Sequence, residues 1–321
     1  MKKRTVIFWC FLLIFSLTMA VAGGRSQARG EKPLRFMLSN AYYTAPYCGP
    51  FNRSAAETAR ALGVELTILD GNGNQQTQLE HANMAIVDGY DGFIYFPADV
   101  EGALPVIETL KRSGIAWIGV NAYPGDQIDR VGMTYYVGPD SKSHALAARD
   151  YVYSTYPNGC NMVVMEGTAG HMQTILMNEV IAEYPSKYRI IDRQDCNFQP
   201  ELAMTKMTDM LTAYGIASRG GRIDLIYAQD PSSAMGIVAA LEAARIRPGE
   251  VGLLGCGSSR GIYDAIKSGW ITATTTQDPF AEGKLGVETL YNVIKGTARP
   301  GWTKLPTPIA TIDTLDQFSW F

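Results

Sequence analysis

Histidine and cysteine are scarce in this chain, three and five among 321 residues, and they do not recur at the spacing of a metal site. No Cys-x-x-Cys pair occurs, which excludes zinc-ribbon and thioredoxin-like chemistry. No block of Lys and Arg interrupts a mildly acidic balance, so a nucleic-acid surface is not expected. Beyond the first residues no apolar run approaches the about 20 residues that span a bilayer. The stretch Gly255-Cys-Gly-Ser-Ser-Arg-Gly261 follows a strand-like run, yet it lacks the Gly-Lys-Ser/Thr ending of a phosphate loop. It also departs from the Gly-x-Gly-x-x-Gly of a dinucleotide turn. No cofactor is expected. Cys48 or Cys256 with His144 or His171 would need a motif to join them as nucleophile and base, and none does. No catalytic residue and no metal ligand is assigned, and the chain reads as a non-enzyme.

What is present begins with an export signal. Lys2, Lys3 and Arg4 precede an almost unbroken apolar run from Val6 to Leu17, and Ala20-Val21-Ala22 offers small residues at a cleavage spacing. Residues 1–22 are expected to be removed, with cleavage as late as Ala28 the alternative. Removal after Ala22 leaves 25 basic against 31 acidic residues, a net of −6. The mature chain is expected to be soluble and periplasmic, and its roughly 290–300 residues suit two domains. Export permits disulfides. Even so, Cys160 precedes one strand and Cys196 follows its neighbour, at opposite ends, so Cys48, Cys160, Cys196 and Cys256 are expected as free thiols.

From Lys32 onward strands and helices alternate. Short apolar runs at 34–38, 64–69, 92–96, 115–120, 162–165, 189–191, 223–227, 252–254 and 271–275 read as buried parallel strands. Helical periodicity marks 55–62, 75–87, 141–156 and 200–214, three of them stopping at Gly63, Gly89 and Gly215. The order implies α/β architecture with helices on both faces of parallel sheets. It also repeats. Val64–Asp70, a helix, then Gly92–Asp99 correspond to Tyr188–Asp195, a helix, then Asp224–Asp230. A further helix and strand follow each, ending at Asn121 and Cys256. Polar residues stand just past the strands' carboxyl ends. Two lobes of one design are expected, with a seam near Gly138-Pro139-Asp140.

These stretches carry a family resemblance. Ala59-Arg-Ala-Leu-Gly63, Pro97-Ala-Asp99, Tyr135-Tyr-Val-Gly-Pro-Asp-Ser-Lys142, Glu166-Gly-Thr-Ala-Gly-His171, Tyr227-Ala-Gln-Asp230 and Ala265-Ile-Lys-Ser-Gly269 stand in order and at matching spacing. From Lys32 to about Asp313 the chain resembles the periplasmic sugar-binding proteins of the ribose- and galactose-binding type. The resemblance implies the type I periplasmic binding fold, two Rossmann-like lobes joined by a three-strand hinge. It assigns residues 32–138 plus 278–305 to an N-terminal lobe and residues 139–277 plus 306–321 to a C-terminal lobe. A small sugar or polyol would be held between them by a monomer and delivered to an ABC permease and, through it, to ATPase subunits. Presentation of the solute to a chemoreceptor or sensor kinase is the alternative. Sugar-responsive repressors share this fold, but they carry a helix-turn-helix where this chain has its leader.

Carried over residue by residue, the resemblance implies ligand contacts from Asn40, Tyr42, Tyr43 and Tyr47 after the first strand, and from Phe96 and Asn121 in the same lobe. His171, Phe198, Asp230 and Cys256 are implied in the other lobe, with Gln277 at the hinge edge. Several of these have plainer roles: Asp230 before Pro231 suits a helix cap, as does Asp99, and His171 suits a helix start. The departures are informative. Asn121 and Gly257 stand where carboxylates are usual, Ala122 where an arginine often follows, and Ile175, Leu176 and Met177 where arginines are expected. A pocket of neutral amides, phenols and rings implies a polyol, a deoxy or methylated sugar, or a less polar solute.

Overall fold

The computed structural model describes residues 32–98, 102–122, 132–169 and 171–321. The leader expected over residues 1–22 and the cap expected at Asp99 lie outside them. Strand β1 (Arg35–Asn40) is buried almost throughout because each of its faces meets a helical layer. Its side chains alternate at period two. Phe36 and Leu38 pack among α1 (Cys48–Ala61) and α9 (Pro279–Ile294), while Met37 packs opposite with α2 (Gln75–Val87) and α3 (Leu104–Ser113). With β2 (Glu65–Asp70), β3 (Gly92–Phe96), β4 (Ala116–Val120), β5 (Tyr135–Pro139) and β11 (Gly301–Leu305), it forms a parallel sheet in the order β2-β1-β3-β4-β5-β11.

The second lobe repeats this plan. β6 (Cys160–Glu166), β7 (Tyr188–Asp195), β8 (Leu225–Ala228), β9 (Gly252–Cys256), β10 (Ala273–Thr275) and β12 (Ile309–Ala310) lie in the order β7-β6-β8-β9-β10-β12. Only the last pairing, β10 with β12, is antiparallel. Met162, Val164, Leu225 and Tyr227 face α4 (Ser141–Thr155) and α5 (Met172–Ala182). Val163, Met165, Ile226 and Ala228 face α6 (Pro200–Tyr214), α7 (Pro231–Ala243) and α8 (Arg260–Lys267). The chain passes between the sheets after β5, after β10 and between β11 and β12. At the first passage Lys304 Nζ is 3.0 Å from Asp140 Oδ2, and Trp302 Nε1 donates to the Gly138 carbonyl at 3.0 Å.

Two elements depart from expectation in extent. Helix α1 begins at Cys48 and not at residue 55, because Pro50 falls in the first turn, where no backbone N–H has an intrahelical acceptor to lose. Strand β7 runs on through polar residues to Asp195, paired along its length with β6 at the sheet edge. The four cysteines are free and buried, and burial pushes each thiol up to about 12. Among the described residues no helix is long and apolar enough to cross a membrane.

The lobes share one packing device. α7 and α9 both open on Asp-Pro, with Asp230 and Asp278 capping backbone N–H groups and proline in the first turn. A few residues on, each helix presents a glycine to a neighbouring backbone. A Cβ at Gly236 would lie 2.1 Å from the Pro200 carbonyl oxygen, and one at Gly283 would lie 2.2 Å from that of Phe51. These approaches set how deeply α7 and α9 seat on their sheets. Gly283→Ala is expected to cost about 1–3 kcal/mol through forced separation of α1 and α9. Urea denaturation reads this as a lower midpoint, and an unchanged midpoint would show that the helices have room to spare.

Candidate binding site between the lobes

The strand orders β2-β1-β3-β4 and β7-β6-β8-β9 both reverse direction beside the first strand of the lobe, and ligand crevices form past the carboxyl ends of strands at such points. A cleft of about 640 Å³ opens there between the lobes. Tyr42, Tyr47, Phe96 and Asn121 line it from the first lobe, and His171, Phe198, Asp230 and Cys256 from the second, with Gln277 beside the hinge. Nine of the eleven side chains expected at the site are thus brought together.

Asn40 and Tyr43 are not. Asn40 is the last residue of β1 and keeps the parity of Phe36 and Leu38, so its side chain turns toward α1. There its Nδ2 donates to Asn52 Oδ1 at 2.9 Å, and its Oδ1 accepts from Tyr42 N at 2.9 Å. It shapes the loop that carries Tyr42 and does not reach the cleft. Tyr43 is 42% exposed, on the outside of the same turn. Ile175, Leu176 and Met177 also stay out of the lining. Met177 is fully buried in the core, and no lysine or arginine is among the described residues that face the cleft.

The first-lobe wall is built on a buried carboxyl that sequence reasoning did not single out. Glu282, in the first turn of α9, accepts at Oε2 from the Tyr47 hydroxyl and from Asn121 Nδ2, the latter at 2.9 Å. Oε1 is buried without a hydrogen-bond partner. Burial pushes this carboxyl up to about 7 against the pull of the two donors. Asn121 itself sits at φ 62°, a left-handed conformation that asparagine tolerates, and the Tyr136 hydroxyl donates to its carbonyl. Phe96 packs edge-on against Tyr42 and Phe51, with centroids 6.1 and 5.5 Å away.

In the second lobe Asp230 does two things at once. Oδ1 caps α7 by accepting from Ser233 N at 2.9 Å, while Oδ2 is buried with no partner. Burial pushes this carboxyl up as well, opposed first by the Ser233 hydroxyl and then by the N–H groups of Ser232 and Ser233. His171 is the N-cap of α5, its Nδ1 accepting from Gln173 N, and its ring meets Phe198 edge-on at 5.2 Å. Phe198 is a backbone outlier. Asn197 and Phe198 are consecutive left-handed residues at φ 50° and 57°, a cost of about 1–3 kcal/mol for a bulky side chain. The strained turn lays the ring across Gly167, where a Cβ would come within 2.2 Å of it.

Behind Gln277 lies His144, fully buried, its Nε2 3.0 Å from Gln277 Nε2 and its Nδ1 2.7 Å from Thr275 Oγ1. Burial lowers the imidazole to about 4, so it is neutral. Cys256 Sγ is 3.7 Å from His144 Nδ1, the one place where a thiol and an imidazole considered as a nucleophile pair do meet. With the thiol pushed up to about 12 and the imidazole down to about 4, burial opposes the thiolate–imidazolium pair that such chemistry requires. Gln173, Ser259 and Phe321 join the lining unforeseen. Gln173 follows His171 by two on the first turn of α5, which was a usable signal. Phe321 meets Tyr47 edge-on at 5.5 Å across the lobes, and nothing local foretells that.

The position of Glu282 has a pH consequence. Its folded value of about 7 lies above the ordinary 4.5, so it contributes stability that is present below 4.5 and is lost as pH rises through about 7. Glu282→Gln is expected to remove that slope, which amounts to on the order of 3 kcal/mol in the parent protein. Thermal melts of both proteins from about pH 5 to about pH 8 check it. Parallel curves would mean that the carboxyl gains no proton on folding.

With this geometry in view, the known proteins that the chain matches are informative. A family model described as a periplasmic binding protein domain matches residues 36–298. The D-ribose/D-allose-binding protein of Pseudomonas aeruginosa is 23% identical over 244 residues, covering 73% of this chain and 74% of that protein. The ribose import binding protein of Salmonella typhimurium is 23% identical over 255 residues, 78% and 81% of the two chains. Among solved structures, an ABC transporter solute binding protein from Bacillus halodurans with bound myo-inositol superposes with a TM-score of 0.80 at 21% identity, covering 90% of this chain and 98% of that one. Matched over most of its length by that family model, and built on the same two-lobed type I architecture, the chain belongs to the periplasmic binding protein domain family.

Proposed function

We propose that the protein is an extracytoplasmic solute-binding protein that captures one small sugar-like or polyol molecule between its lobes and delivers it to an ABC permease. The observation that carries this reading is the cleft itself, walled by aromatic rings from both lobes and lined by Asn121, Gln277 and Asp230, whose Oδ2 is buried beneath its surface without a hydrogen-bond partner. An orphaned carboxylate oxygen in the interior is costly unless a ligand donates to it. The cleft's about 640 Å³ lies within the ordinary range for small-molecule sites. The relatives named above are binding proteins for ribose or allose, and the Bacillus halodurans protein holds a ring polyol, which supports a solute of that size.

In this mechanism the solute docks against one lobe, ring faces cover its apolar surface, and closure completes the polar contacts from the other. Closure shifts the open–closed population by as much as the ligand prefers the closed form. The lobes on this reading are residues 32–138 plus 278–305 and residues 139–277 plus 306–321, turning about the three passages near Gly138, Gln277 and Pro306. The leader directs the chain to the periplasm, where it works as a monomer. The closed face engages the permease, and ATP is spent by the partner subunits.

Small-angle scattering and mass spectrometry test the proposal together. The protein purified from native extract is expected to release a single small solute on denaturation, and returning that solute is expected to contract the radius of gyration. Asp230→Ala is expected to weaken its binding by about 1–3 kcal/mol, measured by calorimetry. Absence of any co-purified or saturable solute, with no contraction, would overturn the function, while an unchanged affinity in the variant would leave Asp230 as a helix cap alone.

A further inference from the structure

Past β12 the segment 311–321 is fixed to the second lobe at several points. Leu315 is buried in the core that α6, α7 and α8 cover, and the Trp320 indole packs against the same core. Trp320 Nε1 donates to the Leu315 carbonyl at 2.8 Å, and its ring meets that of Tyr263 in α8 edge-on at 5.4 Å. The Tyr263 hydroxyl donates to Asp316 Oδ1 at 3.1 Å. Phe321 is then seated by its backbone. Its N–H donates to the Ser258 carbonyl at 3.1 Å, and Arg260 N donates to the Phe321 carbonyl at 2.5 Å. These two bonds bracket Ser259, which caps α8 and lines the cleft. The buried Ser258 hydroxyl accepts from Gln277 N at 2.7 Å, so one residue anchors both this segment and the hinge edge.

From this seat the Phe321 ring lines the cleft and crosses to the other lobe. It meets the Tyr47 ring with centroids 5.5 Å apart and planes at 89°, the edge-on geometry in which aromatic pairs attract beyond their buried area. Tyr47 is mounted just as firmly on the first lobe. It opens α1, and its hydroxyl donates to Glu282 in α9. Among the described residues no other ring pair joins the two lobes. With each ring held by its own lobe, separation of the lobes breaks the contact. An attraction made in one arrangement and absent from the other biases the balance between them, with or without a solute.

We propose that Phe321 is a positioning residue for solute capture: carried on a segment fixed to the second lobe, it clasps Tyr47 of the first and holds the empty lobes near the spacing at which they enclose a solute. The proposal rests on the solute-capture reading, and the clasp itself is measurable with no solute present.

Pulsed dipolar spectroscopy on the full mature chain, stripped of solute by unfolding and refolding, tests it. Spin labels go on Gln76→Cys in α2 and Glu201→Cys in α6, exposed positions in different lobes, while the four native thiols are buried. The parent is expected to populate a shorter and a longer separation. Phe321→Ala is expected to lower the ratio of shorter to longer about two- to tenfold. Phe321→Tyr, which keeps the ring, is expected to restore it, and thermal melts check that each variant folds. An unchanged ratio in Phe321→Ala overturns the proposal, as does a parent with no shorter population. A loss that Phe321→Tyr shares in full overturns the role of the ring. Should Phe321→Ala fail to fold, Phe321→Leu takes its place under the same criteria. None of these results bears on whether a solute is captured, which the co-purification experiment decides.

Discussion

A strand covered by helices on both faces has nowhere along its length to show a polar side chain to a ligand. Every strand at the centre of these two sheets is in that condition, with Phe36, Met37 and Leu38 in one lobe and Met162 to Met165 in the other fully buried. Candidate binding groups are displaced to where the chain leaves the sheet. Past β1 come Tyr42 and Tyr47, past β4 Asn121, past β8 Asp230, and past β10 Gln277. Because the three passages between the sheets lead from just such strand ends, the two sets of ends converge on one cleft. The site is a consequence of covering both faces.

The same constraint explains how much of the fold could be read in advance. Buried parallel strands appear as short apolar runs, and all those expected in the described residues correspond to strands of the two sheets. Helices 75–87 and 200–214 matched residue for residue, because a cap or proline at one end and a glycine just beyond the other bounded each of them. Reading failed where the local signal contradicted the tertiary one. Helical periodicity was clear only from residue 55, whereas α1 begins at Cys48 with Pro50 in its first turn, and β7 is polar because the sheet edge lets water reach it.

The lining of the candidate cleft was legible where a residue directly ends a strand or caps a helix. Asp230, Asn121, Phe96 and His171 are such positions. Asn40 is one as well, and strand parity turned it the other way, a matter of one residue of phase. The supporting shell was not legible. An acid in the first turn of a helix ordinarily reads as solvated, and only the seating of α9 against α1, permitted by Gly283, puts Glu282 between Tyr47 and Asn121. The close meeting of Cys256 with His144, 112 residues apart, and the reach of Phe321 to Tyr47 are set by how whole elements assemble. No periodicity carries that information.

His144 and Glu282 sit on opposite sides of the hinge, and their proton inventories run in opposite senses. The imidazole, held near 4 in the folded chain against an ordinary 6.5, gives up a proton when its lobe folds in mildly acidic water. The carboxyl, held near 7 against 4.5, takes one up under the same conditions. Between about 4.5 and about 6.5 the two exchanges cancel in the sum for the molecule while each is felt within its own half. Acidification across that span therefore loosens the His144 side and tightens the Glu282 side, so that the jaw as a whole is buffered by the disagreement of its parts.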